Sequence, residues 1–216
     1  MNHTAHALAD FAGDYSKACE NETQKLPQVV FDESWRSPCE ITGSEDGDKI
    51  SWQQVSQTSE FDFSDIESAL ELSLHESVKA FYGSYLGASL YGSFGDKQYE
   101  LIQCWNEEDI KRLCENIIGH ILMQRKLKQS HTVFIGSVIN SHLMVCVDNE
   151  SGAVVLEVPG DDNRIELAPS LAEFLKALTP LATPDEELAY QAPVDIKPGL
   201  MPRLKEVMRS LLGRQK

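Results

Sequence analysis

The stretch GSFGDKQYELIQCWNEEDIKRLCENIIGHILMQRKLK, residues 92–128, predicts a turn, a strand and a helix in direct succession. Gly92–Asp96 has the composition of a tight turn, and the β-rich, partly alternating residues of Gln98–Trp105 predict a strand. From Ile110 to Leu122, apolar residues recur at the three- and four-residue intervals of an amphipathic helix.

The charges at the two ends of this helix follow the helix dipole. Asn106 is placed to cap the helix, and the acidic residues Glu107, Glu108 and Asp109 fill its first turn. The helix ends in the basic sequence Arg125-Lys126-Leu127-Lys128. Dipole complementarity therefore explains these charges without a binding partner.

Two further helices are predicted upstream. Residues 4–20 carry apolar side chains at helical spacing, and Ile66–Tyr82 does the same. Within the second, Glu67 and Glu71 stand at i and i+4, where like charges cost a few tenths of a kcal/mol. Such a local conflict is expected at a functional surface, although an ordinary solvated helix face explains it equally well.

The remaining elements are short. Ser170 and Glu173 form a capping box that opens a helix at Leu171–Leu178. Three β-rich runs separated by turn residues predict antiparallel hairpins; they are Thr132–Val138, Leu143–Val147 and Ala153–Val158.

The chain is acidic, and its excess of acidic residues is concentrated in the first 110 residues. The net charge is −15 over 216 residues, and the first 110 residues hold 21 acidic side chains against 6 basic ones. Such a charge argues against nucleic acid as a partner, because binding to phosphates needs Lys and Arg. It suits a partner rich in Lys and Arg, although an acidic composition also serves solubility alone.

The sequence indicates a reduced, cytosolic protein without a cofactor. It has five scattered cysteines and no C-x-x-C pair, so neither a disulfide framework nor a zinc site is predicted. No signal peptide and no membrane-spanning apolar run is apparent. No nucleophile–base motif occurs, so an enzyme is not expected. We interpret His120 as a histidine of the helix satisfied by a hydrogen bond, and residues 43–48 as a solvated turn.

The end of the chain has a different character. Five of the nine prolines fall between Pro180 and Pro202, which marks a linker. Residues 200–213 then combine one apolar face with basic residues off that face, the pattern of a basic amphipathic helix. This helix could lie on an anionic membrane surface or dock on the acidic domain. We predict a domain over 1–182 and a linker with a basic helix over 183–216.

The segment 92–128 also carries a resemblance. Its FGD, its W-x-[DE][DE]D helix entry and its ENIIGH centre resemble the Syd family of bacterial SecY-interacting proteins. Ser37-Pro38-Cys39, Thr132–Ile135 and Ser170–Leu175 match the same family in the same order. The resemblance spans roughly residues 5–182 and does not extend to 183–216.

The resemblance implies a fold and a partner. The fold would be the α+β fold of the Smi1/Knr4-related superfamily, a mixed, largely antiparallel sheet flanked by helices. The partner would be the SecY translocon channel, bound through its basic cytosolic loops by an acidic groove. The protein would then be peripheral on the cytosolic face of the inner membrane and would influence the assembly or quality of the export complex.

The family pattern is acidic, or nearly so, at seven positions of this chain, which makes them candidates for the groove: Glu67, Glu71, Asp96, Glu107, Glu108, Asp109 and Glu115. Two readings explain a surface of this kind. Either the protein binds the basic loops of the channel, or it is an immunity-type relative that neutralises a basic toxin. The long match favours the channel.

Overall fold

The computed structural model describes residues 3–41, 45–57 and 61–184, and within them the chain forms five helices and eleven strands. The helices are α1 (His3–Thr23), α2 (Ser64–Leu70), α3 (Glu76–Gly83), α4 (Glu107–Leu127) and α5 (Leu171–Ala177). The strands are β1 (Gln28–Val30), β2 (Lys49–Ser51), β3 (Val55–Ser56), β4 (Tyr85–Leu86), β5 (Leu90–Phe94), β6 (Lys97–Leu101), β7 (Thr132–Val138), β8 (Met144–Asp148), β9 (Val154–Glu157), β10 (Arg164–Ala168) and β11 (Thr179–Pro180).

Seven of the strands form one sheet in the order β10-β9-β8-β7-β6-β5-β11, and every neighbouring pair is antiparallel. Strands β5 to β10 are consecutive along the chain, so the sheet is mainly a meander in which α4 connects β6 to β7. Two smaller antiparallel pairs, β1–β2 and β3–β4, stand apart from it. The expected α+β class is confirmed.

The helices cover both faces of the large sheet. On one face α4 packs over β7, where the ring of His120 meets Phe134 edge to face at 5.7 Å. On the other face α1 and α5 pack together, and Phe174 meets Tyr99 edge to face at 5.6 Å. Burying apolar side chains on both faces is the main stabilising contribution for a sheet of this kind.

A β-bulge in β7 brings two strands unusually close. The register with β8 shifts between Phe134 and Gly136, and Gly136 lies opposite Leu101 of β6. A β-carbon at Gly136 would overlap the carbonyl oxygen of Glu100. Glycine is required here by the lack of space between the strands.

The segment Ile66–Tyr82, predicted as one helix, is two. Helix α2 ends at Leu70, and Glu71 adopts a left-handed conformation with φ 47°. Helix α3 starts after His75, whose side chain accepts a hydrogen bond from the backbone N–H of Ser77. The apolar residues of the pattern are buried in both helices and, at Leu74, in the connection between them. The periodicity therefore identified the core-facing residues correctly but could not reveal the break.

The other helix predictions are confirmed. Asn106 caps α4 by accepting a hydrogen bond from the N–H of Asp109 at 3.0 Å, and α4 ends at Leu127, followed by Lys128 in a left-handed conformation. Ser170 caps α5 by accepting from the N–H of Glu173 at 3.2 Å. Residues 45–48 form a turn before β2, as predicted for that loop. The predicted basic helix at 200–213 lies outside the described residues, and the division at 182/183 stays a prediction.

Candidate functional site

Glu67, one of the seven candidate acids, has a structural role at the break between α2 and α3. Its Oε1 accepts a hydrogen bond from the N–H of Leu74 at 2.8 Å and lies 3.3 Å from Nζ of Lys79. The carboxylate therefore satisfies the backbone of the connection that the break creates. This structural role accounts for Glu67, so no binding partner is needed to explain the residue.

Glu71 lies at the same break but points into solvent. Its backbone N–H contacts the carbonyl oxygens of Glu67 and Ser68 and so closes α2, while its side chain is exposed. Because Glu71 is outside the helix, the predicted like-charge repulsion between helical i and i+4 positions is wrong. Within the described residues the Glu71 carboxylate makes no ion pair.

The four candidate acids of α4 differ in their surroundings. The carboxylate of Asp109 accepts a hydrogen bond from the N–H of Trp105 at 2.9 Å, so it belongs to the cap. Glu108 pairs with Lys111 at 2.6 Å on the exposed surface. Glu107 and Glu115 are exposed and make no ion pair in the part of the chain that the structure describes.

The two cations beside Glu115 are engaged elsewhere. Lys111 pairs with Glu108, and the guanidinium of Arg112 stacks over the Trp35 ring at 4.0 Å from the ring centre. Glu108 and Glu115 are seven residues apart and therefore lie on one side of α4.

Asp96 occupies the exposed turn between β5 and β6. Its carboxylate accepts a hydrogen bond from Lys97 at 3.0 Å, and this bond holds the pKa of Asp96 below its ordinary value. Gly95 precedes it with φ 63°, a conformation that favours glycine. The turn lies at the opposite end of β6 from the entry to α4.

The seven acids thus occupy three separate places. The guanidinium of Arg125 donates to the carbonyl oxygen of Leu70, which fixes the end of α2 beside the last turn of α4. Glu71 therefore lies near one end of α4 and Glu107 at the other. At 1.5 Å per residue, Glu107 and Arg125 are roughly 27 Å apart along the helix axis.

A polar network that the sequence did not predict lies between α4 and the sheet. Glu157 of β9 is buried, and its Oε2 lies 2.9 Å from Nε of Arg164 on β10. Its Oε1 accepts a hydrogen bond from the hydroxyl of Thr132 at 2.9 Å. Gln124 of α4 closes the network, because its Oε1 accepts from the N–H of Thr132 and its amide nitrogen lies 2.9 Å from Nε2 of His120.

Three side chains in this network are of metal-binding type. The ligand atoms of His120, Cys146 and Glu157 lie within 4.8 Å of one another. Arg164 already supplies the positive charge beside Glu157, and the amide nitrogen of Gln124 lies 2.9 Å from Nε2 of His120. The charge of Glu157 is therefore compensated by Arg164 without a metal ion.

A signal for the network was present in the sequence. Glu157 interrupts an otherwise apolar strand, and His120 and Gln124 stand four residues apart on the core side of α4. A charged residue in such a strand is almost never buried without a partner. The partner could not be identified from the sequence, because Arg164 is only one of several basic residues near a predicted strand.

The buried imidazole of His120 should make stability depend on pH. Burial lowers its pKa, assisted by the charge of Arg164 and opposed by Glu157 at 3.6 Å. An unfolded histidine has a pKa near 6.5, so the unfolded chain binds a proton first as the pH falls. The stability from neutral His120 is therefore full above about pH 6.5 and is lost below it. In His120→Gln, the slope of the unfolding free energy between pH 7 and 5 should fall by up to about 1.4 kcal/mol per pH unit.

Urea titrations at several pH values measure this slope. His142→Gln, the same substitution at an exposed position, is the matched control. The pKa of His131 is also lowered by burial, but that residue is present in all three proteins. An unchanged slope in His120→Gln would contradict the assignment.

The five cysteines are free and buried, as the sequence predicted. Burial raises the pKa of each thiol, and that of Cys114 reaches about 11. The thiols are therefore protonated and unreactive at neutral pH.

None of the helices in the described ranges is long and apolar enough to cross a membrane.

Comparison with known proteins agrees with the fold and the motifs. A family model described as Syd protein (SUKH-2) matches residues 5–180. The chain belongs to the Syd family. The match covers nearly the same residues as the sequence resemblance, and its SUKH-2 description is consistent with the expected Smi1/Knr4-related superfamily.

The Syd relatives fall into two lengths. "Protein Syd" of Shewanella frigidimarina is 37% identical over 215 residues, which covers 97% of this chain and 98% of the relative. "Protein Syd" of Pseudoalteromonas atlantica is 37% identical over 179 residues, which covers 82% of this chain and 96% of the relative. The longer alignment must include most of 183–216. The family model itself ends at residue 180, in agreement with the expected limit of the family pattern, and the longer relative continues beyond that limit.

Proposed function

We propose that this protein is a non-enzymatic regulator of protein export that binds the basic cytosolic loops of the SecY channel through acidic side chains along α4. It acts as a peripheral protein on the cytosolic face of the inner membrane. Membership of the Syd family supports this proposal. The observation that carries it is that three of the candidate acids, Glu71, Glu107 and Glu115, are exposed and make no ion pair with a described residue.

The chemistry of the partner matches this surface. Cytosolic loops of membrane proteins are enriched in Lys and Arg, and the chain carries a net charge of −15. Complementary charge accelerates encounter and makes it sensitive to salt. Carboxylates that lack an internal cation are available to an external one without breaking a contact.

The spacing of the acids limits the geometry of binding. Because Glu107 and Glu71 lie near opposite ends of α4, a ligand that reaches both must extend roughly 27 Å. An extended peptide covers this distance with about eight residues. A channel loop of that length would run along the helix, and occupying it would exclude other proteins that dock on the same loop.

Glu67 is a poor choice for testing this surface. Its charge reversal would remove the acceptor of the Leu74 N–H and place a cation beside Lys79, so lost binding could result from a damaged fold. Asp109 has the same defect because it caps α4. Charge reversal at exposed, unpaired acids tests binding without removing a contact that the fold needs.

The test compares two double charge reversals in binding to SecY-containing membranes across a salt series. Glu107→Lys/Glu115→Lys should weaken binding at least about tenfold at low salt, the effect of 1.4 kcal/mol. Glu150→Lys/Glu166→Lys makes the same change of charge at exposed positions on other elements and should retain most of the affinity. Wild-type binding should weaken as salt rises.

Three results would contradict the proposal. Membranes without the channel could bind as well as membranes with it, or both double variants could lose affinity equally, which would indicate the net charge alone. The folded wild type could also fail to bind at low salt. That last result would favour the alternative, an immunity-type protein that neutralises a basic toxin.

A further inference from the structure

Arg112 lies between two exposed acids of α4. It stands four residues after Glu108 and three residues before Glu115, and side chains at these spacings are neighbours on the surface of a helix. Its guanidinium lies instead over the ring of Trp35, 4.0 Å from the ring centre. Among the described residues Arg112 makes no ion pair, and Glu108 is paired with Lys111. The charge of Glu115 is therefore left without a cation.

The position of Trp35 is set by backbone contacts with the entry to α4. Its carbonyl oxygen accepts a hydrogen bond from Nε1 of Trp105 at 3.0 Å, and its N–H donates to the carbonyl oxygen of Asp32 at 3.0 Å. The carbonyl oxygen of the next residue, Arg36, accepts from the side-chain amide of Asn106 at 2.9 Å. None of these bonds uses the indole ring of Trp35, so a change of its side chain leaves them in place.

The strengths of the two competing contacts favour the stack over an ion pair. A cation–π contact at an exposed site is ordinarily stronger than an ion pair between helical neighbours, and tryptophan offers the best ring for it. The order of residues also weakens a pair with Glu115, because an acid is better placed before its cation along the helix. Arg112 therefore stays on the ring.

We propose that Trp35 is a positioning residue for the acidic surface of α4. Its ring holds Arg112 away from Glu115 and Glu108, so that these carboxylates stay open to the cations of a partner. Without the ring, Arg112 pairs with the acids and competes with the partner. The effect on binding rests on the proposed function, whereas the position of Arg112 can be tested without a partner.

The first test measures binding to SecY-containing membranes at low salt for two substitutions of Trp35. Trp35→Leu keeps an apolar side chain but removes the π face, and it should weaken binding about two- to fivefold, the effect of one exposed ion pair. Trp35→Phe keeps a π face and should bind nearly as well as the wild type. Equal losses in the two variants would indicate a packing role and would overturn the proposal.

A second substitution distinguishes competition from a damaged fold. Trp35→Leu/Arg112→Gln removes the competing cation and should recover the wild-type affinity, which a misfolded protein could not do. Trp35→Leu/Lys126→Gln makes the same change of charge at an exposed residue in the last turn of α4 and should stay weak. Equal recovery in both double variants would indicate that net charge alone determines binding, contrary to the proposal.

The side chain of Arg112 can be followed without the channel, by ¹⁵N–¹H NMR of its Nε–H group in the full chain. In Trp35→Leu, a further Glu115→Gln or Glu108→Gln substitution should shift this signal more than it does when Trp35 is present, because the guanidinium has moved to the carboxylates. A signal that responds to neither substitution would overturn the proposal. Failure of the wild type to bind the channel, with the NMR result as expected, would overturn only the proposed function.

Discussion

Replacing Gly136 by alanine is expected to destabilise the protein by about 3 kcal/mol or more, because overpacking of a close contact ordinarily costs 1–3 kcal/mol. The contact here is with backbone, since the added methyl group would overlap the carbonyl oxygen of Glu100. A backbone oxygen cannot rotate away as a side chain would. Relief requires that β6 and β7 separate at the bulge.

Urea denaturation of the full chain measures this effect, and a variant that does not fold at all agrees with it. Gly13→Ala is the control, because its β-carbon meets nothing within 4 Å. That substitution should stabilise the protein by about 0.5–1 kcal/mol. A loss of less than 1 kcal/mol in Gly136→Ala would mean that the strands are less tightly apposed than the structure indicates.

Removing the carboxylate of Glu157 is expected to cost about 3 kcal/mol, the lower end of the range for breaking a buried ion pair. In Glu157→Ala the guanidinium of Arg164 loses its partner at 2.9 Å, and the hydroxyl of Thr132 loses its acceptor. Asp148, 3.8 Å from Arg164, remains as a weaker partner. This second carboxylate is why the lower end of the range applies.

The double variant Glu157→Leu/Arg164→Leu distinguishes a broken pair from a general defect. Replacing both charges by apolar side chains removes the uncompensated charge, so the double variant should be more stable than Glu157→Ala. Chemical denaturation at pH 7 compares the three proteins. Equal stability of Glu157→Ala and the wild type would show that the pair contributes nothing.

Local patterns predicted the elements that local chemistry determines. Asn106, Ser170 and the spacing of apolar residues in α4 identified helix starts and core faces, because caps and periodicity act within a few residues. The break after Leu70 escaped prediction. A connection of five residues between α2 and α3 leaves the same side chains facing the core, so the pattern of one helix and of two is nearly identical.

The candidate site was less accessible to prediction than the fold. Helix stability does not explain Glu67 in the sequence. The residue accepts a hydrogen bond from the Leu74 N–H, and this contact forms only where the chain turns between α2 and α3. Glu107 and Glu115 emerged as the available acids because Lys111 and Arg112 are occupied elsewhere. Such assignments depend on contacts between residues that are distant in the sequence, and the spacing of residues does not reveal these contacts.

Because all five cysteines are buried, their reaction with a thiol reagent can be used to measure local unfolding. A thiol reagent in solution reaches these sulfurs only when the surrounding structure opens, so the labelling rate reports opening events rather than intrinsic reactivity. Cys39, Cys104 and Cys146 lie on different elements or loops. The order in which they are modified would reveal which part of the domain opens first, without introducing any probe.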